Sequence, residues 1–539
     1  MPHGFDPDAE SPPLAGRTMT PGLLRSTALV SALTLLSRVL GFLRDMVIAR
    51  YFGAEAATDA FFVANRVPNL LRRLFAEGAF SQAFVPVLTE YRTRETEAAT
   101  RELIDRVAGT LGVVLLGVTA VGMISAPLLV LAFAPGWMDQ PEQRVLAGDM
   151  LRITFPYILF ISLTALAGSI LNTYGRFGVP AFTPVFLNLS IIAAAIWLAP
   201  HLERPITALA WAVLIAGVVQ LAFQLPFLRR LKRLPRPRWG WRHGGVRRVM
   251  GLMLPAIFGS SVAQINILFD TLIASFLAVG SVSWLFYADR LLEFPLGIFG
   301  IALGTVILPS LSRRHAENAP EAFSQTLDWA LRWVMVIGVP AAAGLLLLSE
   351  PILTTLFQYG EFTPRDARMA AWALMAYSLG LLGFMLVKVL TPGYYARQDI
   401  RTPVRIAVIA MVSNMVLNIA FVVPMVQLGF QAPHVGLAVA TALASFINAG
   451  LLWRGLRRSG VWIPSAGWTL LLLRVALACA AMVVVLVLLG APAAQWSSWA
   501  AADRVLQLAV SIIAAVVAYF AVLWMVGVRP TFLRRPRHG

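Results

Sequence analysis

The stretch "AFFVANRVPNLLRRLFAEGAFSQAFVP", residues 60–86, decides the topology of the chain. It is apolar at both ends but holds Arg66, Arg72, Arg73 and Glu77 together with Pro68 and Pro86, so a plain hydropathy scan would pass over it. If it crosses a membrane, every later loop changes side. The loops and an internal repeat both bear on that choice.

Composition sets the class. Of 539 residues 58% are hydrophobic and 13% charged, with a mean hydropathy of +0.74, far outside the globular range. Apolar runs long enough to cross a ~30 Å hydrocarbon core recur near 27–52, 58–88, 106–133, 150–172, 180–200, 205–228, 248–277, 282–309, 327–348, 369–392, 403–424, 434–456, 469–489 and 504–526. The reading is an all-α polytopic membrane protein of about 14 transmembrane helices.

Loop charge supports keeping residues 58–88 as the second span. Arginines crowd the loops after even-numbered spans: Arg92 and Arg94, Arg176, the run "RRLKRLPRPRWGWRHGGVRR" (229–248), Arg313 and Arg314, Arg397 and Arg401, Arg457 and Arg458. Loops after odd spans carry few, mainly Arg144, Arg204, Arg365 and Arg368, which predicts cytoplasmic termini. The net charge of +17 is thereby assigned to topology and to membrane-lipid headgroups, not to nucleic acid. Residues 1–25 read as a disordered cytoplasmic tail and 528–539 as a basic one. Cys479 is the only cysteine, which excludes an intrachain disulfide framework.

Internal repetition supplies the architecture. "ANRV" (64–67) resembles "ADRL" (288–291), "VPVL" (85–88) resembles "LPSL" (308–311), "SAPLLVLAF" (125–133) matches "SEPILTTLF" (349–357), and "YGR" (174–176) matches "YAR" (395–397). The offsets are 224, 223, 224 and 221 residues, mapping spans 1–6 onto spans 7–12. Six crossings per copy predict two parallel halves related by an axis along the membrane normal, around a central cavity. The division is an N-terminal half at 26–230, a basic cytoplasmic linker at 231–246, a C-terminal half at 247–458, and two extra spans at 459–527. Pro68, Gly78, Pro86, Pro295, Gly300, Gly304 and Pro309 predict bent helices around the cavity.

At about 100° per residue Arg38 and Asp45 nearly eclipse each other, with Gly41 on the same side, while Arg44 points about 120° from Arg38. Asn65, Asn69, Arg72 and Arg73 share one arc, and Glu77 follows Arg73 by four. Asp59 lies near the outer end, and Arg290 sits beside Asp289 and Glu293. Ion pairs Arg38–Asp45 and Arg73–Glu77 and snorkelling of Arg50 and Arg66 account for part of this charge. Arg38, Arg44, Arg72, Arg73 and Arg290 still outnumber the carboxylates placed to pair with them, and such a surplus suits an anion, phosphate or diphosphate in particular. Elsewhere Asp270, Asn414, Asn418 and Thr441 offer hard oxygen ligands on spans 7, 11 and 12.

"SRVLGFLRD" (37–45), "ATDAFFVANRVPNLLRRLFAEGAFSQAFVP" (57–86), "FPYILFISL" (155–163), "GSVSWLFYADRLLEFPLGI" (280–298), "ALGTVILPSLS" (302–312), "LFQYGEFT" (356–363) and "RQDIRTPV" (397–404) resemble the MurJ (MviN) lipid II flippases of the MOP exporter superfamily. The resemblance implies lipid II, an undecaprenyl diphosphate-linked disaccharide-peptide, as substrate, moved between leaflets of the bacterial inner membrane by alternating access for cell wall synthesis. It places the family's required cavity residues on Arg38, Arg44, Asp45, Asp59, Arg72 and Arg290, with Glu77 in the adjoining motif. It gives spans 13 and 14 a lipid-tail groove and the Asp270 set a sodium or proton site. The expected assembly is a monomer, with the cell wall synthesis machinery as candidate partner.

Lys232 and Lys388, the only lysines, lie in no phosphate-binding loop, so an ion gradient or the membrane potential is the expected drive. The six histidines show no metal-ligand spacing, and no catalytic constellation argues for an enzyme on a polyprenyl-linked substrate. An arginine-rich first half argues against an organic-cation exporter.

Overall fold

A computed structural model describes residues 21–73 and 79–528, and these are helical with no strand among the described residues. The first half contains α1 (Pro21–Phe52), α2 (Ala56–Arg72), α3 (Ala79–Arg94), α4 (Glu97–Ile124), α5 (Ala126–Phe133), α6 (Pro141–Thr154), α7 (Tyr157–Thr173), α8 (Gly178–Phe182), α9 (Pro184–Ala193) and α10 (Thr207–Arg230). The second contains α11 (Gly244–Ala274), α12 (Ser281–Ala316), α13 (Pro320–Phe357), α14 (Pro364–Tyr395), α15 (Arg401–Gln427) and α16 (Val435–Arg458). Then come α17 (Trp468–Leu489), the short α18 (Ala493–Ser498) and α19 (Ala501–Met525).

Each of the fourteen predicted spans falls on one helix or a short series of helices, the second on α2 and α3. Among the described residues ten crossings are long and apolar enough to span a bilayer unaided, and the remaining predicted spans fall on α1, on α2 and α3, on α11 and on α12. Helix starts follow local chemistry: Thr96 accepts from the Ala99 N–H, Thr363 and Asp366 form a reciprocal capping box, and Pro141, Pro320 and Pro364 occupy first-turn positions. One boundary differs from expectation. Residues 21–25, expected to belong to the tail, are already part of helix α1, and residues 1–20 lie outside the described residues. The prolines named for bending lie within helices, Pro68 in α2, Pro86 in α3, and Pro295 and Pro309 in α12, and Gly78 lies outside the described residues.

The repeat is visible as direct contact between equivalent residues. The Asp59 carboxylate accepts from the backbone N–H and the hydroxyl of Ser283, its counterpart 224 positions later, at 2.8 and 2.5 Å. Phe62 stacks on Phe286, again 224 positions on, with ring centroids 4.1 Å apart. Two residues one repeat apart can touch only beside the axis that relates the copies, so these pairs mark the pseudo-twofold axis. Away from it the contacts come in exchanged pairs. The Glu361 N–H donates to the Arg50 carbonyl, and the Gly136 N–H donates to the Ser275 hydroxyl, both at 3.0 Å.

The outer pair α17 and α19 packs on α13 with an apolar core of its own, including Val336, Val475, Met482, Leu508 and Tyr519, and the Tyr519 hydroxyl donates to the Val336 carbonyl at 2.6 Å. Buried Asp328 fastens the segment leading into α17, accepting from Trp468 Nε1 at 2.7 Å, Arg332 Nε at 2.9 Å, Trp462 Nε1 at 3.3 Å and the Ser465 hydroxyl.

The linker between the halves is an ordered strap. The Arg236 N–H donates to Asp105 Oδ1 at 2.7 Å, Arg238 N–H to the Asp105 carbonyl at 3.0 Å, and Gly240 N–H to Thr110 Oγ1 at 3.1 Å. Gly109 lets the strap lie against α4, because any Cβ there would collide with the Arg238 backbone.

Candidate substrate cavity and ion site

Between α1, α2, α11 and α12 lies a cavity of about 280 Å³. Its wall carries Arg44, Arg66, Arg72, Arg73 and Arg290, the carboxylates Asp45, Asp289 and Glu293, and the amides Asn65, Asn69 and Gln264. Among the described residues five arginines thus face three carboxylates. An arginine at membrane depth costs about 2.5–3.5 kcal/mol on insertion scales, so this wall requires counter-charge and water or an anionic occupant.

Asp45 is the keystone. With no exposed surface, it accepts from Arg44 Nε at 2.9 Å and Nη2 at 2.6 Å on one oxygen, and from Arg290 Nε at 2.6 Å on the other. Arg290 also reaches Glu293 at 2.9 Å, and Arg44 Nη1 donates to Asn188 Oδ1 at 3.1 Å. Asn188 in turn donates to the Ser37 carbonyl at 2.9 Å, holding α9 against α1. One carboxylate therefore joins α1 of the first half to α12 of the second.

Several expectations change here. Asp45 pairs with Arg44 and Arg290 and not with Arg38, because a guanidinium on a four-bond stem reaches round the helix to its sequence neighbour. Arg38 is exposed, outside the cavity wall, and its guanidinium occupies the space over Gly297 on α12 that a side chain there would fill. Asp59 is also outside the wall. It is buried at the pseudo-twofold axis, where it caps the start of α12 through Ser283 and the Gly280 N–H at 2.7 Å. Asn69 and Arg72 bond to each other at 3.0 Å. Arg73 lines the cavity, and Glu77 lies outside the described residues.

Arg66, expected to snorkel, lines the cavity instead and donates to Thr271 Oγ1 and to the Ile267 carbonyl at 3.2 Å. The repeat already held that signal, since "ANRV" aligned with "ADRL" places Arg66 opposite Arg290. The two arginines play mirrored parts. Arg290 of the second half grips Asp45 on α1, while Arg66 of the first half binds α11 beside Asp270, which lies within its electrostatic reach. "DMVIA" (45–49) and "DTLIA" (270–274) are the corresponding stretches, so each half lends an arginine to the same helix segment of the other.

At Asp270 the predicted oxygen ligands assemble in part. Asn418 Nδ2 donates to Asp270 Oδ1 at 2.6 Å and Asn414 Nδ2 at 3.2 Å, and Asn414 also reaches Asn266 at 2.8 Å. Asn414 Oδ1, Asn418 Oδ1 and Thr441 Oγ1 are buried with no hydrogen-bond partner among the described residues. The orphaned amide oxygens of Asn414 and Asn418, whose nitrogens bond Asp270, are what a hard monovalent or divalent cation would satisfy, so that donor set fits a cation. Asn266 was not anticipated.

A duplicated helical bundle with a charged cavity on its pseudo-twofold axis defines a membrane transporter. A family profile described as "Lipid II flippase MurJ" matches residues 48–509. The "Probable lipid II flippase MurJ" of Vibrio cholerae is 50% identical over 519 residues, covering 95% of this chain and 98% of that one. The "Lipid II flippase MurJ" of Burkholderia cenocepacia is 44% identical, covering 95% and 99%. The chain belongs to the MurJ family. Among solved structures, "Lipid II flippase MurJ, inward closed conformation" superposes with a TM-score of 0.77 at 27% identity, over 93% of this chain and 100% of that one. An inward-facing MATE-family multidrug transporter of the MOP superfamily shares the fold, with a TM-score of 0.63 at 15% identity over 80% of this chain and 98% of that one.

Proposed function

We propose that this chain carries lipid II from the cytoplasmic to the periplasmic leaflet of the bacterial inner membrane by alternating access, with both termini in the cytoplasm. The single observation that carries the reading is the excess of arginine over carboxylate in a cavity between two repeated halves. A diphosphate bears about two negative charges, and fixed guanidiniums replace the water it loses on entering low dielectric. Two oxygens of a tetrahedral phosphate present a paired acceptor edge to a guanidinium, as the Asp45 carboxylate does. An arriving headgroup therefore competes with Asp45 for Arg44 and Arg290, and engaging it loosens the link between α1 and α12. The polyprenyl chain stays in lipid along α17 and α19, so only the head crosses.

The drive is the membrane potential or an ion gradient. Each charge moved through 100 mV is worth about 2.3 kcal/mol, enough for two charges to bias the two-state equilibrium strongly. Asp270, Asn414, Asn418 and Thr441 would hold Na⁺ or a proton, which supplies positive charge against the Asp270 carboxylate. Depletion of the protein followed by measurement of lipid II in each leaflet tests the proposal, with Arg44→Ala and Arg290→Ala as complementing variants. Loss of periplasmic lipid II, not restored by either variant, is expected. Unchanged delivery after depletion would overturn it. For the ion site, transport that ignores Na⁺ and pH and is unaltered by Asp270→Asn would remove the assignment.

A further inference from the structure

At the end of the outer helix pair that carries α18, a cleft of about 240 Å³ opens between α13, α14, α17 and α19. Its lining includes Glu350, Gly490, Trp496 and Ser511. Trp496 is 2% exposed and packed against Trp499 at a centroid distance of 5.0 Å, and its indole N–H is buried with no acceptor among the described residues. Glu350 has no cationic partner among the described residues. It lies about two turns inside the α13 end, roughly 10 Å along the helix axis, where an unpaired carboxylate is costly.

The repeat shows that this acid does not belong to the duplicated unit. In "SAPLLVLAF" the position of Glu350 is Ala126, which is fully buried. Only the copy against which α17 and α19 pack carries the carboxylate. The cleft thus sets an acceptor for a cation and a buried donor in search of an acceptor beside an apolar wall that includes Leu348, Leu486 and Val487.

We propose that this cleft binds the headgroup of an ethanolamine phospholipid. Its primary ammonium brings donors for Glu350, its phosphate or ester carbonyl accepts from Trp496 Nε1, and its acyl chains remain against the outer face of α17 and α19. The cleft lies at the opposite end of the molecule from the arginine-rich loops, so the lipid comes from the other leaflet. Choline headgroups cannot fill the site in the same way, because methylation removes every ammonium N–H.

The test uses the full chain reconstituted with equal amounts of ethanolamine and choline phospholipids of identical acyl composition, with retained lipid counted by native mass spectrometry. The ammonium contact with Glu350 that choline cannot make corresponds to roughly tenfold selective retention of the ethanolamine lipid. That preference is lost in Glu350→Gln, whereas Trp496→Phe lowers retention of both lipids and leaves the preference between them. Equal retention of the two lipids by the unaltered chain, or a preference that survives Glu350→Gln, overturns the proposal. So does displacement of the bound lipid by a headgroup-free polyprenol. If Glu350→Gln fails to fold, the lipid competition on the unaltered chain and Trp496→Phe still decide the matter. None of these readouts depends on flipping.

Discussion

Replacing Asp45 with asparagine keeps the side chain's shape and removes its charge. The carboxylate has no exposed surface and receives three short bonds, two from Arg44 and one from Arg290. Breaking a buried pair of this kind costs about 3–5 kcal/mol, mostly because the partner charge is stranded. Only part of that cost concerns the relation of the halves. Arg44 sits beside Asp45 on the same helix and keeps Asn188, whereas Arg290 is the sole bond in the set that crosses from α12 to α1. Assigning about 2 kcal/mol to that bridge predicts a shift of about thirtyfold in the ratio of conformations that do and do not contain it. The single cysteine simplifies the measurement: with Cys479→Ser, spin labels at exposed positions Glu95 and Glu317 report the distance between the halves. Asp45→Asn is expected to add a distinct, longer-distance population and to lower transport. A distance distribution superimposable on that of the parent chain, with unchanged transport, would refute the reasoning.

Asn188→Ala removes one acceptor from Arg44 and a tie to Ser37, a loss of about 1–2 kcal/mol that denaturation in detergent reads directly. Asp59→Ala strands the Gly280 and Ser283 N–H groups at the head of α12 and costs about 2–4 kcal/mol, whereas Ser283→Ala keeps both backbone bonds and costs about 1 kcal/mol; comparison of the two unfolding transitions checks the order. Gly297→Leu displaces Arg38 and is expected to reduce transport with little loss of stability, a split that parallel transport and melting measurements resolve. Gly109→Val lifts the strap from α4, so tryptic cleavage after Arg238 should accelerate several-fold in limited proteolysis.

Ten of the crossings were legible because each needs only length and apolarity, and the arginine loops and the repeat supported α2–α3, where charge hides the signal. The duplication was legible to the residue: the offset of 224 read between "ANRV" and "ADRL" is the separation of Asp59 from Ser283 and of Phe62 from Phe286 in contact. Side-chain pairing was not. Helical-wheel angles place Cβ atoms, but arginine reaches a third of the way round a helix, which is how Arg44 and not Arg38 came to hold Asp45. Asn188 and Thr271 lie on other helices, and no periodicity within α1 or α2 points to them. Arg66 was misread as interfacial because its partner lies on α11, although its repeat equivalent Arg290 carried the hint.

The strap has a mechanical consequence. Asp105 and Thr110 fasten residues 236–240 to α4, and the first residues of α11 continue onto the same surface, where Gly245 meets Tyr91 and Leu103 and Arg248 pairs with Glu90 at 2.9 Å. Farther along, Asp270 of the same helix bonds Asn414 and Asn418 on α15. One continuous helix is therefore rooted in both halves. In the alternating-access cycle proposed above, a rocking motion would not be taken up by slack in the connecting chain and would fall on α11 itself, which contains Pro255. On that proposal the elastic element of the transporter is a membrane span and not a loop.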